Sequence, residues 1–166
     1  MFQNKLTRQI SDFLKEIGIE VLPVKLSRET FLPGISVKSG KLFVDEDKLL
    51  YPGDLLHEAG HIAVTPAHLR NNLNDEISLL DFQPGVVETE AIIWSYAACV
   101  HLDLDPQIVF HPNGYQGKSE ALLSNFRIGI FPGVNQLEDA GMTFSGRTAA
   151  DSGAEPFPKM TKWCKD

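Results

Sequence analysis

One pentapeptide of the chain carries side chains arranged for metal chemistry, His57-Glu58-Ala59-Gly60-His61. On an α-helix, residues four apart stack on the same face. The imidazoles of His57 and His61 then stand side by side and can share one metal ion. Glu58 is angled off that ion, where it can hold a water and take its proton. Two nitrogen ligands and a general base on one helical turn suit hydrolysis. At ordinary residue frequencies the pattern arises by chance in roughly one chain of this length per few hundred. The bland alternative is two histidines packed near a core without metal. Leu55, Leu56, Ile62, Ala63 and Val64 predict a buried apolar helix over residues 54 to 65, with Asp54 as N-cap and Pro66 closing it. Gly60 costs about 1 kcal/mol relative to Ala inside a helix. A close approach by another helix or strand, or crowding beneath the metal, would explain it.

A catalytic zinc takes three protein ligands and keeps the fourth position for water. A third histidine in the longer pattern H-E-x-x-H-x-x-G-x-x-H would fall at position 67. Ala67 stands there, Val64 replaces the glycine, and Pro66 interrupts the helix. His68 comes one residue late and reads as a loop residue. The other source is a glutamate on a second helix. In Val87-Glu88-Thr89-Glu90-Ala91-Ile92-Ile93-Trp94-Ser95-Tyr96-Ala97-Ala98 two carboxylates enter an apolar run. Near a helix N-terminus they gain modestly from the dipole. Glu90 shares a face with Trp94, Ala97 and His101, and a buried carboxylate needs a partner. Glu88 and Glu90 point to nearly opposite sides, so only one of them can be the ligand.

Together, His57-Glu58-Ala59-Gly60-His61 and Glu88-Thr89-Glu90-Ala91-Ile92-Ile93-Trp94-Ser95-Tyr96-Ala97 resemble the ImmA/IrrE family of metallopeptidase-like domains. The resemblance spans roughly residues 5 to 105. It implies a minimal zincin-like α+β fold, with a small antiparallel sheet packed on the H-E-x-x-H helix and on a second, glutamate-bearing helix. It also implies a gluzincin-type site in which His57, His61 and Glu90 hold one Zn²⁺, Glu90 being the glutamate before Ala91. Ile92 stands where family members often carry Asn or Asp. Glu58 is the expected general base for hydrolysis of a peptide or protein substrate. Family members are also associated with the regulation of repressors. The competing expectation is therefore a metal-binding regulatory or interaction domain with little or no proteolysis. Two histidines and a carboxylate also suit Mn²⁺ or Fe²⁺. Tyr96, His101, His111 and Tyr115 are candidate donors to a tetrahedral oxyanion, against ordinary packing or surface placement for each.

The elements that must position these residues follow from hydrophobic period. Leu6, Ile10, Phe13, Leu14 and Ile17 predict a helix over 5 to 17, capped by Gly18. Residues 19 to 26 read as a strand, at an edge because of Pro23. Residues 34 to 45 read as a hairpin turning at Ser39-Gly40, whose edge could pair with an extended substrate. Residues 66 to 84 read as a connection, 86 to 101 as a long helix, and 118 to 127 and 134 to 140 as short helices. Beyond Arg147 the prolines of 153 to 160 exclude a helix. Phe157, Met160 and Trp163 there imply a segment that packs over a core edge or closes over the metal cleft.

The 166 residues are 43% apolar with a formal net charge of −7. They suit a single domain, residues 1 to 106 forming the metal-bearing core and 107 to 166 an extension of it. No Lys/Arg run points to nucleic acid or to an anionic membrane. No segment has the length of a membrane span, and the N-terminus lacks an apolar signal core. Cys99 and Cys164 do not make a disulfide framework, so the expected compartment is the cytoplasm.

Overall fold

The computed structural model describes residues 1–75 and 84–166. The architecture is α+β, with seven α-helices and a three-stranded mixed sheet among these residues. Helix α1 (Lys5–Glu16) starts where the Asn4 side chain accepts from the backbone N–H groups of Leu6 and Thr7. Its apolar stripe of Ile10, Phe13 and Leu14 is buried. Strands β2 (Ile35–Lys38) and β3 (Lys41–Val44) form the expected antiparallel hairpin. Ser39 and Gly40, with φ of 50° and 67°, make its two-residue turn, in which both central residues must be left-handed.

Strand β1 (Val21–Pro23) pairs parallel with β3, which is therefore the middle strand. It is shorter than the expected 19–26, and Pro23 is tolerated because β1 is an edge. The outer edge of β2 is not free. The backbone N–H of Asp75 donates to the Val37 carbonyl, 3.0 Å, and the Asp75 carboxylate accepts from the Val37 N–H, 2.5 Å. Gly40 N–H donates to the Leu73 carbonyl, 3.1 Å. Residues 73 to 75 thus take the positions that the sequence offered to a substrate strand.

Helix α2 (Asp54–Val64) carries the His57–His61 motif, and α4 (Pro84–His101) packs on it more extensively than any other two elements pack together. Between them lie the short α3 (Ala67–Arg70) and the rest of the expected connection, of which residues 76–83 fall outside the described residues. Ala91, Ile93, Trp94, Ser95, Ala97, Ala98 and Cys99 are all buried, so α4 runs through the core rather than along its surface. A Cβ on Gly60 would stand 2.8 Å from the Ala91 carbonyl oxygen. Close helix approach is thus the reason for the glycine.

Helices α5 (Ser119–Arg127) and α6 (Val134–Asp139) match the expected short helices, and α7 (Gly146–Ser152) was not anticipated. Leu123, Phe126, Leu137, Met142 and Phe157 join the same apolar cluster as Phe13, Leu42, Leu56 and Trp94. The final residues add polar ties. Trp94 Nε1 donates to the Trp163 carbonyl, 2.8 Å, Lys165 N–H to the Ala63 carbonyl, 2.9 Å, and Ala67 N–H to the Asp166 carbonyl, 3.1 Å. The C-terminus therefore lies across the end of α2, and the core-edge alternative describes it.

Cys99 and Cys164 are free, and burial, with Asp105 nearby, pushes the Cys99 thiol up to about 12. Among the described residues no helix is long and apolar enough to cross a membrane.

Gly60→Ala tests the helix contact. Helix propensity alone would favour Ala by about 1 kcal/mol, but a methyl group forced onto backbone costs about 1–3 kcal/mol. The variant is expected to show a lowered urea midpoint, with unfolding followed by circular dichroism.

Candidate metal site

The two rings of the α2 motif meet on one face. His57 Nε2 and His61 Nε2 are 3.2 Å apart, with the rings nearly perpendicular at 88°. From α4, the Glu88 carboxylate reaches both. Oε2 lies 3.2 Å from His61 Nε2, and Oε1 lies 3.7 Å from His57 Nε2. Ligand atoms about 2.0–2.1 Å from a tetrahedral zinc stand about 3.3 Å from one another. The two 3.2 Å separations match such an edge, the 3.7 Å one runs to the other carboxylate oxygen, and His57, His61 and Glu88 could together hold a metal ion. The donor set fits: two imidazole nitrogens and one carboxylate, each 3.2–3.7 Å from the others.

Glu90, expected as the third ligand, is a correction. It is buried, and its Oε2 pairs with Lys165 Nζ at 2.6 Å. Two residues along a helix turn a side chain through about 200°. Once Glu88 faces the histidines, Glu90 must face away. The buried carboxylate does have a partner, as its environment demands, but that partner is an ammonium from the far end of the chain. Glu88 is the more exposed of the two, and neither its exposure nor the likeness that pointed to the glutamate before Ala91 marked it as the one facing the histidines.

The electrostatics suit a cation. Burial first, then His61, pushes His57 down to about 4, so it is neutral and ready to ligate near pH 7. For His61, burial pulls downward, but the hydrogen bond to Glu88 and the charge of Glu58 outweigh it and hold the ring above its ordinary value. Glu88 is opposed by burial yet held low by its hydrogen bond to His61 and by the two imidazoles. Glu58 is pushed up to about 7, first by burial and then by Glu88, Asp54 and Asp75, against a pull from His61.

The four candidate oxyanion donors separate. Tyr96 packs among Phe126, Phe131 and Phe157, and His101 between Phe13 and Trp163. His111 is stacked on Tyr51, ring centroids 3.7 Å apart, and its Nε2 is 3.1 Å from Asp54 Oδ1. Asp54 is therefore not a side-chain N-cap: it is the first residue of α2 and is paired with His111. Tyr115 alone touches the motif, with Oη 3.2 Å from His57 Nδ1. That nitrogen is on the side of the ring away from Glu88, so the phenol stands behind the ligand. His68 is exposed on α3 and is not among the clustered donors.

Comparison with family models, with curated proteins and with solved structures finds no match to this chain.

Two measurements follow. Glu88→Ala is expected to lose most metal affinity in a chelator competition while keeping its melting temperature without metal. Glu90→Ala is expected to do the reverse, since stripping one partner from a buried ion pair costs about 3–5 kcal/mol. The second measurement uses metal-free protein. The folded value of Glu58 stands above the ordinary 4.5, so stability held at low pH is lost as the pH rises through about 7. The loss amounts to about 3 kcal/mol. Glu58→Gln removes the titration, and should exceed the parent in urea resistance at pH 8 but not at pH 4.5.

Proposed function

We propose that this chain is a zinc-dependent metallopeptidase of the H-E-x-x-H type, in which His57, His61 and Glu88 hold the metal and Glu58 is the general base. The observation that carries this reading is the set of 3.2–3.7 Å separations among the three donor groups, with a carboxylate raised to about 7 on the same helix. Zinc bound there would supply a Lewis acid and bring the pKa of a coordinated water toward about 7. Glu58 takes the proton of the attacking water and delivers it to the leaving amine. Neutral His57 and the low-lying Glu88 carboxylate offer lone pairs at pH 7 without first losing a proton. The reading keeps the zincin-like architecture and the likeness to ImmA/IrrE domains, with the third ligand moved from Glu90 to Glu88.

One observation favours the second reading, a metal-binding regulatory or interaction domain. The outer edge of β2 is paired with residues 73 to 75, so a substrate cannot add there as a strand while those contacts hold.

Elemental analysis of protein purified without added metal, followed by two variants, tests the proposal. His57→Ala should lose stoichiometric metal. Glu58→Gln should keep it while cleavage of a peptide library falls by at least about 100-fold, the low end of what a positioned acid–base group contributes. A parent protein that carries one zinc and cleaves nothing would select the interaction reading.

A further inference from the structure

The outer edge of β2 is covered by the chain itself, and the covering segment holds on by a carboxylate as well as by its backbone. Gly40 N–H donates to the Leu73 carbonyl, 3.1 Å, and Asp75 N–H to the Val37 carbonyl, 3.0 Å. Lys38 and Asn74 oppose one another as an antiparallel pair. Two side chains also accept from backbone amides of the hairpin. Asn74 Oδ1 takes Ser39 N–H at 3.0 Å, and Asp75 Oδ1 takes Val37 N–H at 2.5 Å. Asp75 Oδ2 accepts from Ser36 Oγ, 2.6 Å, and lies 3.8 Å from the Arg28 guanidinium. A backbone amide, a hydroxyl and a guanidinium thus converge on one carboxylate, and hydrogen bonds to an ionised acceptor are the stronger kind.

Little apolar surface holds this covering in place. Of residues 73 to 75 only Leu73 is buried; Asn74 is half-buried and Asp75 exposed. Segments with few buried apolar contacts open at low free-energy cost. A second extended chain can replace the polar contacts one for one, as strand addition to a sheet edge does. Backbone pairing is indifferent to sequence, so the grip on the carboxylate is what gives the edge a preference. The edge is also close to the candidate chemistry, since the Asp75 charge is among those that raise Glu58.

We propose that the β2 edge is a binding site for an extended acidic peptide, occupied here by residues 73 to 75 as an internal stand-in. Arg28, Ser36 and the Val37 amide select an Asp or Glu side chain where the Asp75 carboxylate now sits. The inference rests on the metallopeptidase reading for the fate of that peptide, but not for its binding. Residues 73 to 75 act as a tethered competitor, so the apparent affinity of an incoming peptide is reduced by the fraction of molecules in which the edge is open.

The test uses the metal-free full chain and two end-blocked fluorescent peptides, Val-Thr-Asp-Thr-Val and Val-Thr-Ala-Thr-Val, with binding read by anisotropy. Asp75→Ala uncovers the edge and leaves the grip intact. It should bind the Asp peptide at least about 10-fold more tightly than the parent does, the low end of what hydrogen bonds to a charged group contribute. It should also prefer the Asp peptide to the Ala peptide, and adding Ser36→Ala and Arg28→Ala should erase most of that preference. Lys38→Cys with Asn74→Cys examines the covering from the other side, because opposed residues of an antiparallel pair lie at a spacing a disulfide can bridge. At millimolar Asp peptide, comparable to the effective concentration of a tethered segment, the amide signals of Val37 and Gly40 should move in the reduced form and stay in the oxidised form. That comparison decides the matter even where Asp75→Ala does not fold. Equal affinity of Asp75→Ala for the two peptides, no gain over the parent, or the same shifts in the oxidised and reduced forms overturns the proposal. The expected binding by a protein that cleaves nothing when loaded with zinc supports the site and overturns the peptidase reading. Cleavage that is equally fast in Asp75→Ala and the parent and indifferent to acidic residues overturns the proposal and leaves the peptidase reading standing.

Discussion

The close passage of α4 over α2 is the constraint on which the candidate site depends. Gly60 lies against the backbone of Ala91, leaving no room for a methyl group between the helices. Gly60 immediately precedes His61, and Ala91 follows Glu88 by three residues, one turn along the same face. The contact that brings the two backbones together therefore sets how far Glu88 must reach to the histidines. The glycine gives up helix propensity, and the precision of a three-donor cluster depends on it.

Around that crossing the chain concentrates groups that would be costly in isolation. Two imidazoles and Glu88 meet there, and His61 and Glu88 shift each other, His57 and Glu58. Without a cation, the cluster holds a histidine–carboxylate contact and a carboxylate whose charge is disfavoured. A divalent ion would relieve both at once, since it replaces a shared proton with a stronger charge. Asp54 and His111, one turn toward the N-terminus of α2, form a second buried pair, and the Asp54 charge adds to what raises Glu58.

The opposite side of the same helix pair is closed by the last residues of the chain. Lys165 inserts its ammonium against Glu90 while its backbone N–H joins the Ala63 carbonyl. Arg70 donates to the carbonyls of Ile62, at 3.2 Å, Thr65, at 3.0 Å, and Lys165. The first two lie at the C-terminal end of α2, where the helix runs out of its own amide donors. The C-terminus thus serves as an external cap for the motif helix, and it neutralises the glutamate that the site does not use.

What could be read from the sequence was whatever depends on local geometry. His57 and His61 share a face because helical period is fixed by the backbone. The hairpin, its Ser39-Gly40 turn, α1, α5 and α6 follow from period and turn chemistry within a few residues. Gly60 correctly announced a close neighbour. The choice between Glu88 and Glu90 could not be read, because it depends on the rotational phase of α4 against α2 and on an ammonium 75 residues away from Glu90. Nor could the contact of Tyr115 with His57, which lies 58 residues earlier in the chain, since a loop with left-handed Tyr115 and Gln116 places the phenol. The parallel pairing of β1 with β3 and the covering of the β2 edge by residues 73 to 75 belong to the same class. The sequence by itself determined which side chains one helix can bring together; only the tertiary structure decided which groups stand beside and behind them, because those meet through packing between elements remote in the chain.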